Sequence, residues 1–393
     1  MDSAVKALVV GAGIAGLTAA WWLVRDGHDV DVIERAKSLR EDGYMIDFFG
    51  SGWDVAERMG LLADLAEIHY PVDELVTVAE DGRVRTRLPY AKVRSAFFDG
   101  RHFNFMRGDL LRVLFDALPR RVHVRFGEGF ERGREKGYDL VIGADGVHSK
   151  VRTEMLGATN AERFLGFHAA AYVIDDERLA RRLGSTFQTM TIPNRMAAVY
   201  PIRGGKIATF FVWSSDLAPA AAPNPRETLR HAYADVKWLV PDLLERIPHE
   251  RDVYFDAVSQ VVLDKWSAPK VTLVGDACQA VSLLAGQGAS MAMGGAWALA
   301  EEVRRGGALE HVLSRYEARV KPLIESKQRS GRNMAARGSR RAVRGESRCA
   351  TSRSAARSCR AWRGSSASAS RARASCGRDP PVRVELLQLQ RMC

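Results

Sequence analysis

Cysteine is nearly missing from the first 334 residues. Only Cys278 lies there, while Cys349, Cys359, Cys376 and Cys393 all follow residue 335. A body with one cysteine holds neither a disulfide framework nor a cysteine-ligated zinc site, and no metal is expected. Long apolar runs are missing too. Charges interrupt every hydrophobic stretch before it reaches the length of a membrane span. A glycine motif starting at residue 11 leaves no room for a signal peptide ahead of it, so the expected location is the cytoplasm. Net charge is absent from the body as well. The chain totals +11, and from Ala335 onward 14 Arg against three acids give 14 − 3 = +11, so residues 1–334 are formally neutral. The high isoelectric point belongs to the tail, and the body gives no electrostatic reason to bind nucleic acid.

What is present is ordinary for a globular protein. The chain has 393 residues, 46% hydrophobic and 27% charged, enough for one large or two medium domains. Its organising stretch is 5–35. Residues 5–10 (VKALVV) are apolar and β-branched, as in a strand buried on both faces. Gly11, Gly13 and Gly16 follow as G-x-G-x-x-G, then an alanine-rich helix stopped at Gly27, then a second strand with Glu34 at its end. Each position has a job. Gly11 permits the sharp turn, Gly13 lets a pyrophosphate approach the backbone, and Gly16 lets helix and strand pack closely. The helix N-terminus offers free N–H groups to phosphates, and Glu34 is placed for a ribose hydroxyl. Strand, helix and acid together point to dinucleotide binding.

Further on, residues 44–49 read as a strand and 53–59 as a short helix ending at Gly60. Arg40 and Asp47 flank this piece; spacing alone reads them as a loop charge and a turn cap. Residues 75–88 alternate around Asp81–Gly82, a hairpin signal. Residues 103–118 read as a strand running into an amphipathic helix, with Arg107 ahead of it and Asp109 as its N-cap. The segment 138–152 (YDLVIGADGVHSKVR) is a buried strand, a tight turn carrying Asp145 and Gly146, and a helix opening at Ser149. Between about 160 and 265 alternating strands dominate, with helices near 226–236 and 238–246. Tyr200, Phe210, Phe211 and Trp213 suit a substrate pocket or a core equally. Residues 270–303 return to a buried strand ending in Gly275–Asp276, then a loop to Gly286, Gln287, Gly288 and Ala289 at a second small-residue helix start.

Three of these motifs, GAGIAG with Glu34–Arg35, YDLVIGADGVHSKVR and VTLVGDACQAVSLLAGQGAS, together resemble the signatures of the FAD-dependent monooxygenases of class A. This is the para-hydroxybenzoate hydroxylase type, which includes aromatic-polyketide hydroxylases and the tetracycline-inactivating monooxygenases. The likeness spans residues 5 to about 334. It implies that Gly11, Ala12, Gly13, Ile14, Ala15 and Gly16 hold the FAD pyrophosphate and Glu34 the adenosine ribose, with Arg35 beside the adenine end. It implies that Arg107 and Asp276 contact FAD, that Asp145 and Gly146 serve FAD and pyridine nucleotide, and that Gly286, Gly288 and Ala289 lie by the isoalloxazine ring. Asp47 resembles a flavin-contacting aspartate, and Arg40 an NADPH-contacting arginine, of the tetracycline-inactivating branch. Two departures touch the flavin pocket: the usual Gly-Asp-Ala-Ala-His reads GDACQ, with Cys278 and Gln279, and a proline before the Gly-Gln-Gly loop is replaced.

The implied fold is α/β: a Rossmann-like FAD-binding domain with an inserted antiparallel-sheet α+β substrate domain. The expected divisions are 1–75, 103–160 and 266–334 for the FAD domain with its C-terminal helices, and 76–102 and 161–265 for the substrate domain. The implied activity uses NADPH or NADH and O₂ to hydroxylate an aromatic or polyketide-like small molecule through a flavin C4a-hydroperoxide, in a monomer or homodimer. The cofactor carries that chemistry, so no catalytic triad is expected. His102 and His168 are general-base candidates by residue type only, and the preferred reading of each is structural. The alternatives are a flavin-dependent halogenase, against which the missing Trp-x-Trp-x-Ile-Pro counts, a polyprenyl reductase, and an FAD-binding protein without turnover. Residues 335–393 are rich in Arg, Ser, Ala and Cys, and such a composition buries no core. A basic nucleic-acid arm and a natural disordered tail are open readings. The preferred one is translation of a GC-rich gene in a shifted frame.

Overall fold

The computed structural model describes residues 4–39, 43–215, 224–249, 252–283 and 286–344, with side chains to Asn333. The chain opens with strand β1 (Lys6–Val10), helix α1 (Ile14–Arg25) and β2 (Asp29–Glu34). Strand β3 (Met45–Phe49), helices α2 (Ser51–Met59) and α3 (Leu62–Glu67), and the hairpin β4 (Glu74–Val78) and β5 (Val84–Pro89) follow. Next come α4 (Tyr90–Phe98), β6 (His102–Met106), α5 (Arg107–Asp116), β7 (Val124–Phe126), β8 (Leu140–Gly143) and α6 (Lys150–Leu156). The inserted region contributes β9 (Glu162–Asp175), α7 (Glu177–Leu183), β10 (Thr186–Ile192), β11 (Arg195–Ile202), β12 (Lys206–Ser214), α8 (Pro225–Ala232), α9 (Val240–Glu245) and β13 (Tyr254–Val261). The chain returns through β14 (Ser267–Ala268), β15 (Val271–Leu273), α10 (Asp276–Gln279), α11 (Gly288–Arg305) and α12 (Leu309–Arg344).

Two sheets organise these elements. The first runs β14-β15-β8-β1-β2-β7, parallel except for edge strand β14. Its centre is buried on both faces: Ala7, Leu8, Val9, Leu140, Val141 and Ile142 are at most 1% exposed, as the continuous apolar runs require. Helix α1 packs on β1 and β2 and against α11, which in turn meets α2 and α12. The second sheet runs β13-β9-β12-β11-β10-β4-β5. It is antiparallel except where β4 lies parallel to β10, a pairing made because the hairpin arrives from an earlier part of the chain. One face of this sheet packs on α7, α8 and α9 around Tyr172, Phe211, Trp213, Leu229, Tyr233 and Leu243. The other face looks toward the first sheet. A two-stranded antiparallel ribbon, β3 with β6, joins the two bodies.

The expected strands and hairpin are present, and helices α3, α4 and α7 add to them. Asp109 is not the cap of α5. Met106 holds that position and Arg107 is already helical, which puts Asp109 in the first turn. Helix α12 continues to Arg344, ten residues past Met334. The rest of the unusual tail lies outside the described residues. Among the described residues no helix is long and apolar enough to cross a membrane.

Candidate active site

The glycine motif divides into closed and open positions. Gly11 has φ +103°, and a Cβ there meets the Ala144 carbonyl oxygen at 2.5 Å; a Cβ on Gly16 meets the Gly11 carbonyl oxygen at 1.9 Å. Both glycines are required by packing, and the first contact puts the Ala144–Asp145–Gly146 turn directly against the end of β1. Gly13 differs, because nothing lies within 4 Å of a Cβ built on it. It caps α1 with no side-chain hydrogen bond, and the first turn carries no acid. Helix α11 repeats the arrangement: Gln287 caps it without a side-chain bond, no acid sits in its first turn, and Gly288 opens onto empty space. Two adjacent helices thus present unfilled N-terminal N–H groups. Ala289 is half-buried behind Gly288, and Gly286 turns the chain into the helix at φ +60°.

Glu34 holds the first of these helix starts in shape. Its carboxylate accepts from Ala12 N at 2.9 Å and Ala36 N at 2.8 Å. Arg35 beside it is exposed. Asp145 serves the α6 corner: Ser149 Oγ donates to it at 2.5 Å and the Lys150 and Val151 amides at 2.7 and 3.1 Å. Its side chain therefore braces the start of α6 behind Ser149, the N-cap, and the turn offers its backbone. Arg40 lies outside the described residues.

Between the ribbon, the loop after β15 and the inward face of the second sheet, Tyr44, Arg107, Phe210, Tyr254 and Asp276 come close together. Asp276 opens α10 and keeps solvent contact. Burial pushes its carboxyl up, and the Arg107 charge pulls it back. Tyr44 reaches across, with ring centroids 5.2 Å from both Phe210 and Tyr254. Burial pushes the Tyr44 phenol up to about 12, against the pull of Arg107. Tyr254 and Asp256 stand on the same face of β13. Burial also raises the Asp256 carboxyl, offset by the Ala257 amide, which donates at 2.8 Å. Sheet register sets Ala171 between Tyr254 and Phe210, and Ala198 beyond Phe210, so small side chains flank Phe210 in the sheet.

Asp47 sits on β3 of the ribbon. Its Oδ1 accepts from Tyr90 Oη at 2.8 Å, from His102 Nε2 at 3.1 Å and from Asn104 Nδ2. Burial alone raises this carboxyl; the His102 hydrogen bond and charge, with Tyr90 and Asn104, outweigh it and hold it below the usual range. The carboxylate keeps 23% of its surface, while the His102 side chain has none.

Both histidines have structural surroundings, the reading that their residue type alone left in favour. His102 is closed in between Phe49 and Phe98 with Nε2 on Asp47, so it is not a base facing substrate. His168 lies on the helix-packed face, stacked between Trp213 and Phe255. Of the four pocket aromatics, Phe211 and Trp213 belong to the helix-packed core and Tyr200 is buried beneath Met45, whose amide donates to its hydroxyl at 2.8 Å. Only Phe210 joins the cluster between the two sheets. Tyr44, Tyr254 and Asp256 were not singled out from sequence. Their signal was strand parity, which places Tyr254 and Asp256 with Phe210 once the register is known.

The GDACQ departure is absorbed locally. Gln279 Nε2 donates to Tyr316 Oη at 2.9 Å, and Tyr316 Oη donates in turn to the Leu273 carbonyl at 3.0 Å. Gly295 makes room, since a Cβ there falls 2.3 Å from the Gln279 amide. Cys278 is buried, which pushes its thiol up.

The residues present fit FAD. The fit rests on two uncapped helix starts with open glycines, and on the Arg107 charge lying close enough to act on the Asp276 carboxyl.

Comparison with known proteins agrees. The sequence profile of the FAD binding domain family matches residues 132–329, and that of an NAD(P)-binding Rossmann-like domain matches 9–48. An uncharacterised protein of Mycobacterium tuberculosis is 32% identical over 333 residues, covering 76% of this chain and 85% of that one. A flavin-dependent monooxygenase of Legionella longbeachae is 28% identical over 352 residues, covering 84% and 89%. Among solved structures, the tetracycline destructase Tet(51) is similar with a TM-score of 0.73 at 26% identity, covering 87% of this chain and 96% of its own. The chain belongs to the FAD binding domain family, with the class A flavin-dependent monooxygenases, and is an FAD-dependent oxidoreductase.

Proposed function

We propose that this enzyme uses NAD(P)H and O₂ to hydroxylate a planar aromatic or polyketide-like small molecule held in the cleft between the two sheets. The observation that carries this reading is the cluster of aromatic and charged side chains between the two sheets. Arg107 and Asp276 form its FAD side, and Tyr44, Phe210 and Tyr254, with alanines next to them in the sheet, form its substrate side. The names of the relatives, a flavin-dependent monooxygenase and a tetracycline destructase, support the same chemistry and substrate class.

In this reading Gly11 to Gly16, with Glu34 fixing the loop, take the pyrophosphate end of FAD, and Arg107 and Asp276 take its middle. Gly286, Gly288 and Ala289 flank the ring, and Asp47 meets it from the ribbon. Bound FAD supplies acceptance of hydride from NAD(P)H and delivery of one O₂-derived oxygen atom. The protein's own groups do the rest. Tyr44, Phe210 and Tyr254 orient an aromatic ring by offset and edge contacts. The surrounding sheet excludes bulk water. Asp256 is the group placed to exchange a proton with a phenolic oxygen at its carboxylate, and its raised carboxyl suits that task better than a fully solvated one.

The test is the visible absorption of the purified chain, before and after NADPH in air, followed by a product search with phenolic and polyketide substrates. A flavin band that bleaches and returns, with a hydroxylated product, is expected. A protein that stays colourless after FAD is added overturns the reading. Bleaching that yields no oxygenated product with any such substrate overturns the assigned reaction.

A further inference from the structure

We infer that two buried amides, Gln260 on β13 and Gln328 on α12, are positioning residues that preset residues 280–282 and, with their neighbours on α12, the start of α11. The inference rests on the reading of the α11 start as lying on the flavin side. Gln328 Nε2 donates to the Val261 carbonyl at 2.6 Å and to the Ala280 carbonyl at 2.9 Å. Gln260 Nε2 donates to the Val281 carbonyl at 2.9 Å and to the Gln328 carbonyl at 3.0 Å. The two side chains are 0% and 3% exposed. Each therefore bonds carbonyls on two different elements in a place where water cannot substitute, and the Ala280 carbonyl also takes the Val261 amide at 3.2 Å. Strand, helix and loop are tied at one point.

The backbone beside the clamp needs holding. Ser282 follows Val281 directly and takes φ +94°, a left-handed conformation unusual for a residue with a Cβ. Its Oγ is buried with no hydrogen-bond partner. Such a residue persists only where its surroundings over-determine it, and the four amide bonds on Val261, Ala280, Val281 and Gln328 do so. Two outer bonds extend the grip: Arg332 Nη1 donates to Gln260 Oε1 at 2.7 Å, and Lys327 Nζ to Gln287 Oε1 at 2.7 Å. Gln287 caps α11. The last two turns of the well-packed part of α12 thus fix where the α11 N-terminus points, although none of these side chains lies in the cleft.

The experiment compares the parent chain with Gln328→Met, which keeps the length but has no N–H, and with Arg332→Ala, which removes only an outer bond at the surface. FAD affinity is titrated by fluorescence on the apo chains, and backbone hydrogen exchange is followed without FAD. Gln328→Met is expected to raise the FAD Kd at least tenfold and to speed exchange in 286–290, with the strands of the first sheet as protected as before. Arg332→Ala is expected to raise Kd about threefold. A folded Gln328→Met chain with the parent's Kd and exchange overturns the inference. Should Gln328→Met not fold, Arg332→Ala decides, and an unchanged Kd with unchanged exchange overturns it. A parent chain that takes up no FAD overturns the flavin-site reading instead, and the exchange comparison made without FAD still decides the clamp.

Discussion

The two faces of the seven-stranded sheet share the same strands and have opposite fates. On β12, Phe211 and Trp213 turn toward α8 and α9 while Phe210 turns toward the FAD-binding body; on β13, Phe255 goes one way and Tyr254 and Asp256 the other. On the helix-packed face the tyrosine hydroxyls are committed to the fold. Tyr172 Oη donates to the Leu243 carbonyl at 2.7 Å, and Tyr233 Oη lies 2.7 and 2.8 Å from the Met196 and Val212 carbonyls. On the cleft face, Asp256 and Tyr254 keep solvent contact. An alternating strand always makes two faces. Which one becomes the core depends on what covers it, and here the covering helices come from the same insertion.

The sharpest way to break this comparison is to truncate a large side chain on the covered face. Phe211 is 0% exposed, with its ring centroid 5.8 Å from that of Tyr172 and 5.1 Å from that of Tyr233. Phe211→Ala is expected to lose about 3–5 kcal/mol of stability, read by chemical denaturation. FAD affinity of the folded fraction should stay near the parent's. A normal denaturation midpoint would mean that this face is not a core.

The matching change on the cleft face should do the reverse. Asp256→Asn is expected to lower kcat about a hundredfold, measured as NADPH-dependent product formation, and to abolish the acid limb that this carboxyl imposes on the pH profile. Stability should move the other way. Burial raises the folded carboxyl, so at neutral pH its ionised form opposes folding, and the neutral amide removes that cost. The thermal midpoint at pH 7 should equal or exceed the parent's. A slow enzyme that is also unstable would make Asp256 a fold residue. Tyr254→Leu comes next in size: KM for an aromatic substrate is expected to rise about tenfold, with kcat and the thermal midpoint little changed. An unaltered KM would remove Tyr254 from the substrate wall.

Much of this was readable in the sequence, for reasons that differ from element to element. The β1–α1–β2 unit is local: the turn, the helix and Glu34 sit within 30 residues of one another, and their spacing carries the geometry. The Asp276 and Gly286–Ala289 sites lie far along the chain, and the motif resemblance supplied them. The cleft wall was not readable, because Tyr44, Phe210 and Tyr254 come from three segments whose meeting is set by sheet register. The structural role of His168 was the preferred reading, but not the face it lies on, since a histidine on an apolar strand looks alike on either face. Asp145 resembled a ligand because its bracing of α6 shows only when the Ser149 hydroxyl and the Lys150 and Val151 amides are placed around it.

The smallest effect lies with that histidine. His168 is buried among Phe164, Trp213 and Phe255, and neither ring nitrogen has a hydrogen-bond partner. Burial therefore lowers its pKa from the ordinary value of 6.5, and the folded state keeps the ring neutral where the unfolded chain takes a proton. Stability is unaffected well above that value and falls as pH drops through it, because the unfolded state then binds more protons. Burial lowers His28 and His69 in the same direction, so the parent's thermal midpoint should decline between pH 7.5 and 5.5 with all three contributing. His168→Leu, which suits an apolar site, is expected to flatten part of that decline. NADPH-dependent turnover at pH 7.5 should be unchanged, because the ring faces α8 and α9 and not the cleft. Loss of turnover with an unaltered pH slope would return His168 to the list of groups that touch substrate, and would reverse the assignment of the two faces.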